Sequence, residues 1–172
     1  MGGATSPSEN LKRAIEQQCE ASVFPLRVDA HSLPVAKEFF AVVIAIDSFL
    51  YFGTDDRYLD YLTQFVKPGG FVGVVDIAFT RELRSIEEAP SYLHPQYAKR
   101  WSSVHSVAWW KQHWEKTALV DVECAEPLES DELLRDYVRG RPPEQDEDSI
   151  MRAVPRDREG LISLFCLVAR KR

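Results

Sequence analysis

The stretch from Phe39 to Phe79 organises the hydrophobic pattern of the chain, with two apolar runs on either side of a helically spaced segment. Ala41 to Ile46 is a continuous apolar run closed by Asp47 and Ser48, the pattern of a strand buried on both faces of a parallel sheet. Thr54 is a good N-cap residue followed by Asp55 and Asp56, and apolar residues then recur at Tyr58, Leu59, Leu62, Phe65 and Val66. That spacing predicts a helix from Thr54 onward, stopped by Pro68, Gly69 and Gly70. Phe71 to Ile77 is again apolar and β-branched. The stretch therefore predicts a strand, helix, strand unit with parallel strands and a right-handed crossover. Ligands of such sheets bind beyond the carboxyl ends of the strands, which places Asp47, Ser48, Phe49 and Tyr51 at the expected site.

The flanks continue an α/β alternation. Leu11, Ala14, Ile15 and Gln18 give one helix face, and Val23, Phe24, Leu26 and Val28 predict a short strand delivering Asp29 and Ala30 to its end. The segment 81–100 is polar, broken by Pro90 and Pro95, and predicts an irregular helical insertion over the sheet's carboxyl edge. Ser106 can cap a helix over 107–117 in which Val107, Trp110 and Trp114 share one face and Trp109 and His113 the next. A strand over 119–125, a helix over 130–139, a loop over 140–149, a short helix near 150–156 and a closing strand over 161–170 complete the order. The last two strands can form an edge of the sheet. No repeat or long linker divides the 172 residues, so a single domain is expected.

Composition narrows the function classes. The net charge of −6 argues against nucleic acid as a main partner, which needs a basic face. No apolar run approaches the roughly 20 residues of a membrane span, and no secretory signal opens the chain. Cys19, Cys124 and Cys166 are far apart and show no CxxC spacing, so a reducing, cytoplasmic setting is expected rather than a disulfide or zinc framework. No metal site is expected, because the histidines lack companion ligands at a recognised spacing.

Four segments together resemble the class I S-adenosylmethionine-dependent methyltransferases, in a small-molecule, methyltransferase type 11-like branch. They are VFPLRVDAHSLP, FFAVVIAIDSFLYFGTDDRYL with FVKPGG, HSVAWWKQHWEKTALVDVE, and the closing apolar strand. The resemblance implies a partial doubly wound, Rossmann-like sheet with an antiparallel C-terminal edge. It implies that Asp29 and Ala30 flank the adenine of S-adenosylmethionine, the carboxylate accepting from the exocyclic amine, and that Asp47 and Ser48 lie beside the methionine and reacting methyl group. Two parts of the family pattern have no counterpart here: the first strand with its glycine-rich loop, and the second strand with its ribose-binding acid. Gly2 and Gly3 do not follow a strand and cannot stand in. Ala41 also replaces an acidic residue of the pattern. The chain thus resembles the carboxyl-terminal two thirds of such an enzyme, as a fragment or a degenerate relative. The sheet would lack its first two strands, leaving the Val23–Val28 strand unpaired and an apolar edge exposed.

Methyl transfer from a sulfonium needs positioning and a water-poor site, with a base only where the acceptor must lose a proton. His31, Tyr51, His105 and His113 are the candidates for that base. Phe49, Tyr51 and Trp109 can face a sulfonium or amine through their π clouds. Structural alternatives stand beside each: a turn or cap for Asp29, strand-end hydrogen bonding for Asp47, core packing for Trp109, Trp110 and Trp114, and a solvated loop for Glu144 to Asp148. The expected function is small-molecule methyl transfer. The rivals are a non-catalytic interaction protein that pairs its exposed sheet edge with a partner or with a second copy, and a short-chain oxidoreductase lacking its GxGxxG entry.

Overall fold

The structure is a computed structural model that describes residues 7–94, 103–128, 131–139 and 153–172. The loop over 140–149 with its acidic run, Gly2 and Gly3, and much of the insertion beyond residue 94 lie outside the described residues. The chain falls into two compact units, Met1–Val35 and Ala36–Arg172.

The larger unit holds a mixed four-stranded sheet in the order β1 (Phe40–Ile46), β2 (Val66–Phe79), β4 (Ile162–Lys171), β3 (Val120–Leu128). β1 and β2 are parallel, with Val42 opposite Phe71 and Ile46 opposite Val75. β4 runs antiparallel to both β2 and β3, which gives the C-terminal antiparallel edge. The helices are α2 (Tyr58–Thr63), α3 (Val107–Glu115) and α4 (Asp131–Arg139).

One sheet face is a closed core. Val72, Val74 and Ala78 of β2 join Phe165, Leu167 and Ala169 of β4 and Val120 of β3, all buried, under Leu59 and Leu62 of α2 and Trp110 and Trp114 of α3. Phe49 is the aromatic hub, its ring 5.5 to 5.9 Å from those of Phe52, Tyr58, Trp110 and Trp114. Trp110 stacks on Phe165 at 6.0 Å. Burying rings of this size removes a large apolar area from water, which favours folding.

The opposite face is divided. Toward the carboxyl end of β2, Ile77, Phe79, Ile162 and Leu164 pack under Leu83, Ala89 and Leu93 of the insertion, with Leu134 and Val138 of α4 against them. Toward β1 the same face is open: Ile44 is 67% and Ile46 66% exposed. The expectation of a β1 strand buried on both faces is therefore corrected. Among the described residues of this unit no helix covers Val42, Ile44 and Ile46, and no strand pairs the outer edge of β1.

Two further expectations change. The helix predicted from Thr54 begins at Tyr58 and is short, with turns over 54–57 and no side-chain cap at Arg57. Pro68, Gly69 and Gly70 do not follow a helix end but form an irregular start to the 14-residue β2. The ladder shifts register between Phe40 and Val42, a bulge that tolerates Pro68 in a paired strand. Gly69 takes φ +73°, and a Cβ on Gly70 would stand 2.6 Å from the Ala41 carbonyl oxygen, so both glycines are required there.

In the smaller unit α1 (Pro7–Glu16) buries Ala14. Val23 to Val28 has no regular secondary structure and pairs with no strand among the described residues, and Phe24 is 79% exposed. The predicted strand is absent because a strand needs a neighbour for its N–H and C=O groups, and Pro25 removes one donor in any case.

Candidate functional site

The site is built at the carboxyl ends of β1 and β2, as the parallel pair dictates. Asp47, the first residue past β1, donates its backbone N–H to the Val75 carbonyl at 2.9 Å and takes φ +52°. Asp is one of the few non-glycine residues that tolerates this left-handed conformation. The chain then turns through Ser48 into a 3₁₀ turn, Phe49–Tyr51. Ser48 occupies the cap position but its hydroxyl makes no capping bond.

The cap is supplied from the neighbouring strand. Asp76 of β2 is buried and accepts the Phe49 N–H at 2.9 Å and the Leu50 N–H at 3.3 Å on Oδ2, and the Ile77 N–H at 2.9 Å on Oδ1. Burial pushes its carboxyl above the ordinary value, and the backbone N–H groups pull the other way without overcoming it. Sequence reasoning passed over Asp76. Its signal was a single charged residue in the otherwise apolar run Val72 to Phe79, which a chain does not bury without hydrogen-bond partners.

At the last residue of β2, Phe79 donates its N–H to the His105 carbonyl at 3.1 Å and bridges to Ser106. Ser106 caps α3 as expected, accepting the Trp109 N–H at 3.2 Å. Glu82 joins the two segments: Oε2 accepts the Ser106 N–H and Oε1 accepts from His105 Nδ1, both at 2.7 Å. Residues 105, 109 and 113 then form a ladder at helical spacing. The His105 ring lies 3.6 Å from the Trp109 ring and 9° from parallel, and the His113 ring 4.4 Å and 14°.

Two imidazoles that close and that parallel cannot share one face of the indole, so both faces of Trp109 are covered. Trp109 is therefore not available to face a sulfonium or amine. Phe49 is corrected likewise, since it is the hub of the core. Tyr51 remains exposed beside the turn. His113 is buried, its Nε2–H donating to the Gly53 carbonyl at 3.2 Å. Its Nδ1 is 3.6 Å from Asp56 Oδ1, too far for a hydrogen bond. Burial, then the Lys116 charge, depresses its basicity, which makes it a neutral packing residue rather than an exchanging base.

Asp29 and Ala30 belong to the smaller unit. Asp29 Oδ1 accepts the His31 backbone N–H at 2.8 Å and lies 3.2 Å from His31 Nδ1, an Asx turn. Those bonds hold the carboxyl below its usual range. His31 is exposed and serves this turn. The sequence-expected residues thus divide: Asp47, Ser48, Tyr51 and His105 lie at the strand ends of the larger unit, and Asp29, Ala30 and His31 in the other. Among the described residues no three His, Cys, Asp or Glu side chains converge as a metal site, and no helix is long and apolar enough to cross a membrane.

No protein-family model matches the sequence, and a search of curated proteins finds no match. Solved structures do match. Geranyl diphosphate methyltransferase, solved in complex with SAM, superposes over 99% of this chain and 66% of its own length at 16% identity with a TM-score of 0.69. Geranyl diphosphate C-methyltransferase from Streptomyces coelicolor A3(2), solved with Mg2+, geranyl diphosphate and S-adenosyl-L-homocysteine, covers 96% and 60% at 15% identity and 0.66. The [4+2]-cyclase SpnF covers 95% and 61% at 19% identity and 0.66. The chain spans about two thirds or less of the length of each of these structures. Across nearly its whole length, this chain has the fold of the small-molecule S-adenosylmethionine-dependent methyltransferases.

Proposed function

We propose that the chain is an S-adenosylmethionine-dependent methyltransferase domain, or the larger part of one, acting on a small molecule in the cytoplasm. The observation that carries this reading is the likeness over 99% of the chain to a structure solved with SAM. The shared fold does not select the reaction, as a [4+2]-cyclase among the neighbours illustrates. Each unit taken by itself is consistent with the cofactor's chemistry: in the smaller, the Asx turn engages Asp29 Oδ1 and leaves Oδ2 to accept from an amine; in the larger, the Ser48 hydroxyl is not used as a cap. In this reading Asp29 and Ala30 serve the adenine, and Asp47 and Ser48 the reacting end. The bound cofactor would supply an electrophilic methyl group, and the sheet would be that of a methyltransferase without its first two strands.

Calorimetric titration of the 172-residue chain with S-adenosylhomocysteine, with size exclusion to exclude aggregates, tests this. Micromolar binding lost in Asp29→Ala supports it. A folded chain that binds nothing refutes it for this chain.

A second reading is favoured by one observation, the open face and edge of β1. Val42, Ile44, Ile46 and the neighbouring Phe39 are exposed together, and unpaired apolar edges template pairing. Here the domain associates with a second copy through β1. A monomer by light scattering at high micromolar concentration rejects that; a dimer dissociated by Ile44→Lys sustains it.

A further inference from the structure

We propose that Glu82 and His105 form a proton-accepting dyad at the carboxyl end of β2, and that the methyl acceptor is accordingly a protic nucleophile, an amine, hydroxyl or thiol that loses a proton as it is methylated. The acceptor class rests on the methyltransferase reading; the dyad rests on geometry alone. Glu82 has both oxygens committed at 2.7 Å, one to the Ser106 N–H and one to His105 Nδ1. A carboxylate fixed on Nδ1 makes that nitrogen the donor and leaves the Nε2 lone pair as the acceptor, and it stabilises the imidazolium that forms.

His105 is held from three other sides. Its carbonyl is bound by the last N–H of β2, its ring lies flat on Trp109, and the following residue caps α3. The imidazole is thus oriented without using Nε2, which has no partner among the described residues. The side chain keeps 19% of its surface accessible. Trp109 contributes as well, since an imidazolium on an indole face is a favoured cation–π pair. Other titratable groups around the ladder are His113, held neutral by burial, and Asp56 and Lys116 at its far end, paired to each other at 2.7 Å.

In the balanced step the acceptor's lone pair forms the new bond to the methyl carbon, the pair of the broken carbon–sulfur bond stays on sulfur, and the acceptor's proton passes to His105 Nε2 and on to solvent. Acceptors already lacking a removable proton, such as thioethers, would gain nothing from the dyad.

Two measurements on the whole chain test this. Diethyl pyrocarbonate with peptide-resolved mass spectrometry reads the nucleophilicity of Nε2 without any cofactor. His105 should be carbethoxylated at about pH 7 at a rate within about threefold of exposed His31, and Glu82→Gln should slow it severalfold while leaving His31 unchanged. A His105 that stays unmodified while His31 reacts overturns the dyad. In radiolabelled methyl transfer to amine, hydroxyl, thiol and thioether panels, His105→Gln should lower kcat about 10²-fold, as for loss of a general base, and abolish its acid limb, while S-adenosylhomocysteine affinity stays unchanged. Glu82→Gln should lower kcat severalfold with KM preserved. Turnover of protic acceptors with kcat and acid limb intact in His105→Gln, or turnover of thioethers alone, overturns the proposal with the methyltransferase reading intact. Absence of S-adenosylhomocysteine binding by the folded wild type overturns that reading and the acceptor class with it, and the carbethoxylation result still decides the dyad.

Discussion

Removing the Asp76 carboxylate should unlock the turn that follows β1. In Asp76→Ala the Phe49 and Ile77 N–H groups, both accepted at 2.9 Å and buried, lose their acceptor, whereas the part-buried Leu50 N–H at 3.3 Å can turn to water. A buried donor left unsatisfied costs about 1 to 3 kcal/mol, so two of them place the loss at about 2 to 6 kcal/mol. Asp76→Asn keeps one oxygen for Phe49 and Leu50 but sets its amide N–H against the Ile77 N–H. It also removes a charge that burial disfavours, and should lose only about 1 to 2 kcal/mol. Urea unfolding followed by tryptophan fluorescence should rank wild type as most stable, Asp76→Asn next and Asp76→Ala last. The pH dependence has a definite sign. A carboxyl whose folded-state value is raised binds its proton more tightly in the native state, so its contribution is fully present below the ordinary value of 3.8 and is lost as pH rises through the folded value. The stability advantage of wild type over Asp76→Asn should therefore shrink on going from about pH 4 to about pH 8. An Asp76→Ala variant within about 0.5 kcal/mol of wild type, or an advantage that grows with pH, would refute the reasoning.

Other positions give separate tests. A Cβ at Gly53 would lie 2.1 Å from two ring carbons of Phe49, so Gly53→Ala must displace the aromatic hub and should cost about 1 to 3 kcal/mol in a thermal melt. His113 titrates below its ordinary 6.5 in the native state because of burial and then the Lys116 charge; the stability it contributes is present above 6.5 and lost as pH falls through the depressed value. His113→Gln should flatten the stability profile in that acidic window, and an unchanged slope would count against it. Tyr92 donates to Asp157 at 2.7 Å, and Asp157 also accepts the Leu161 and Ile162 N–H groups that lead into β4. Tyr92→Phe should cost about 0.5 to 1.5 kcal/mol and Asp157→Ala more, both read by urea unfolding. In an alkaline ultraviolet titration Tyr92 should ionise above the ordinary tyrosine value of 10.0, because burial and then Asp157 raise it.

The parallel β1–β2 pair, the antiparallel C-terminal edge and the Ser106-capped helix were legible in the sequence, because each is written as a local period or a local cap. Trp110 and Trp114 declared themselves as core by helical spacing. Three things were not legible, each for a non-local reason. Pro68, Gly69 and Gly70 carry the same composition whether they end a helix or open a bulged strand, and the choice is made by the Ala41 carbonyl packed against Gly70. Val23 to Val28 has strand composition, but composition cannot supply a neighbour. The Glu82–His105 contact joins residues 23 apart through the Phe79–His105 hydrogen bond, which no periodicity encodes; His105 could be named, and its partner could not.

The two halves of the candidate site hang on one strand. Asp76 holds the turn after β1, and Phe79 holds the segment carrying His105, three residues farther along β2, or about 10 Å of strand. β2 is clamped independently of β1 by nine consecutive register pairs with β4. The edge that would mediate association and the end that would carry chemistry are therefore mechanically separable. Ile44→Lys alters a side chain that is already exposed and leaves the β2–β4 ladder untouched, so it should change the oligomeric state without altering His105 carbethoxylation. Asp76→Ala acts on the strand itself and should disturb the turn after β1, with Ser48 and Tyr51, while β4 continues to hold Phe79 in place. If Ile44→Lys slows carbethoxylation of His105 along with dissociation, the edge and the dyad are one unit, and the dyad is completed by the second copy rather than by β2.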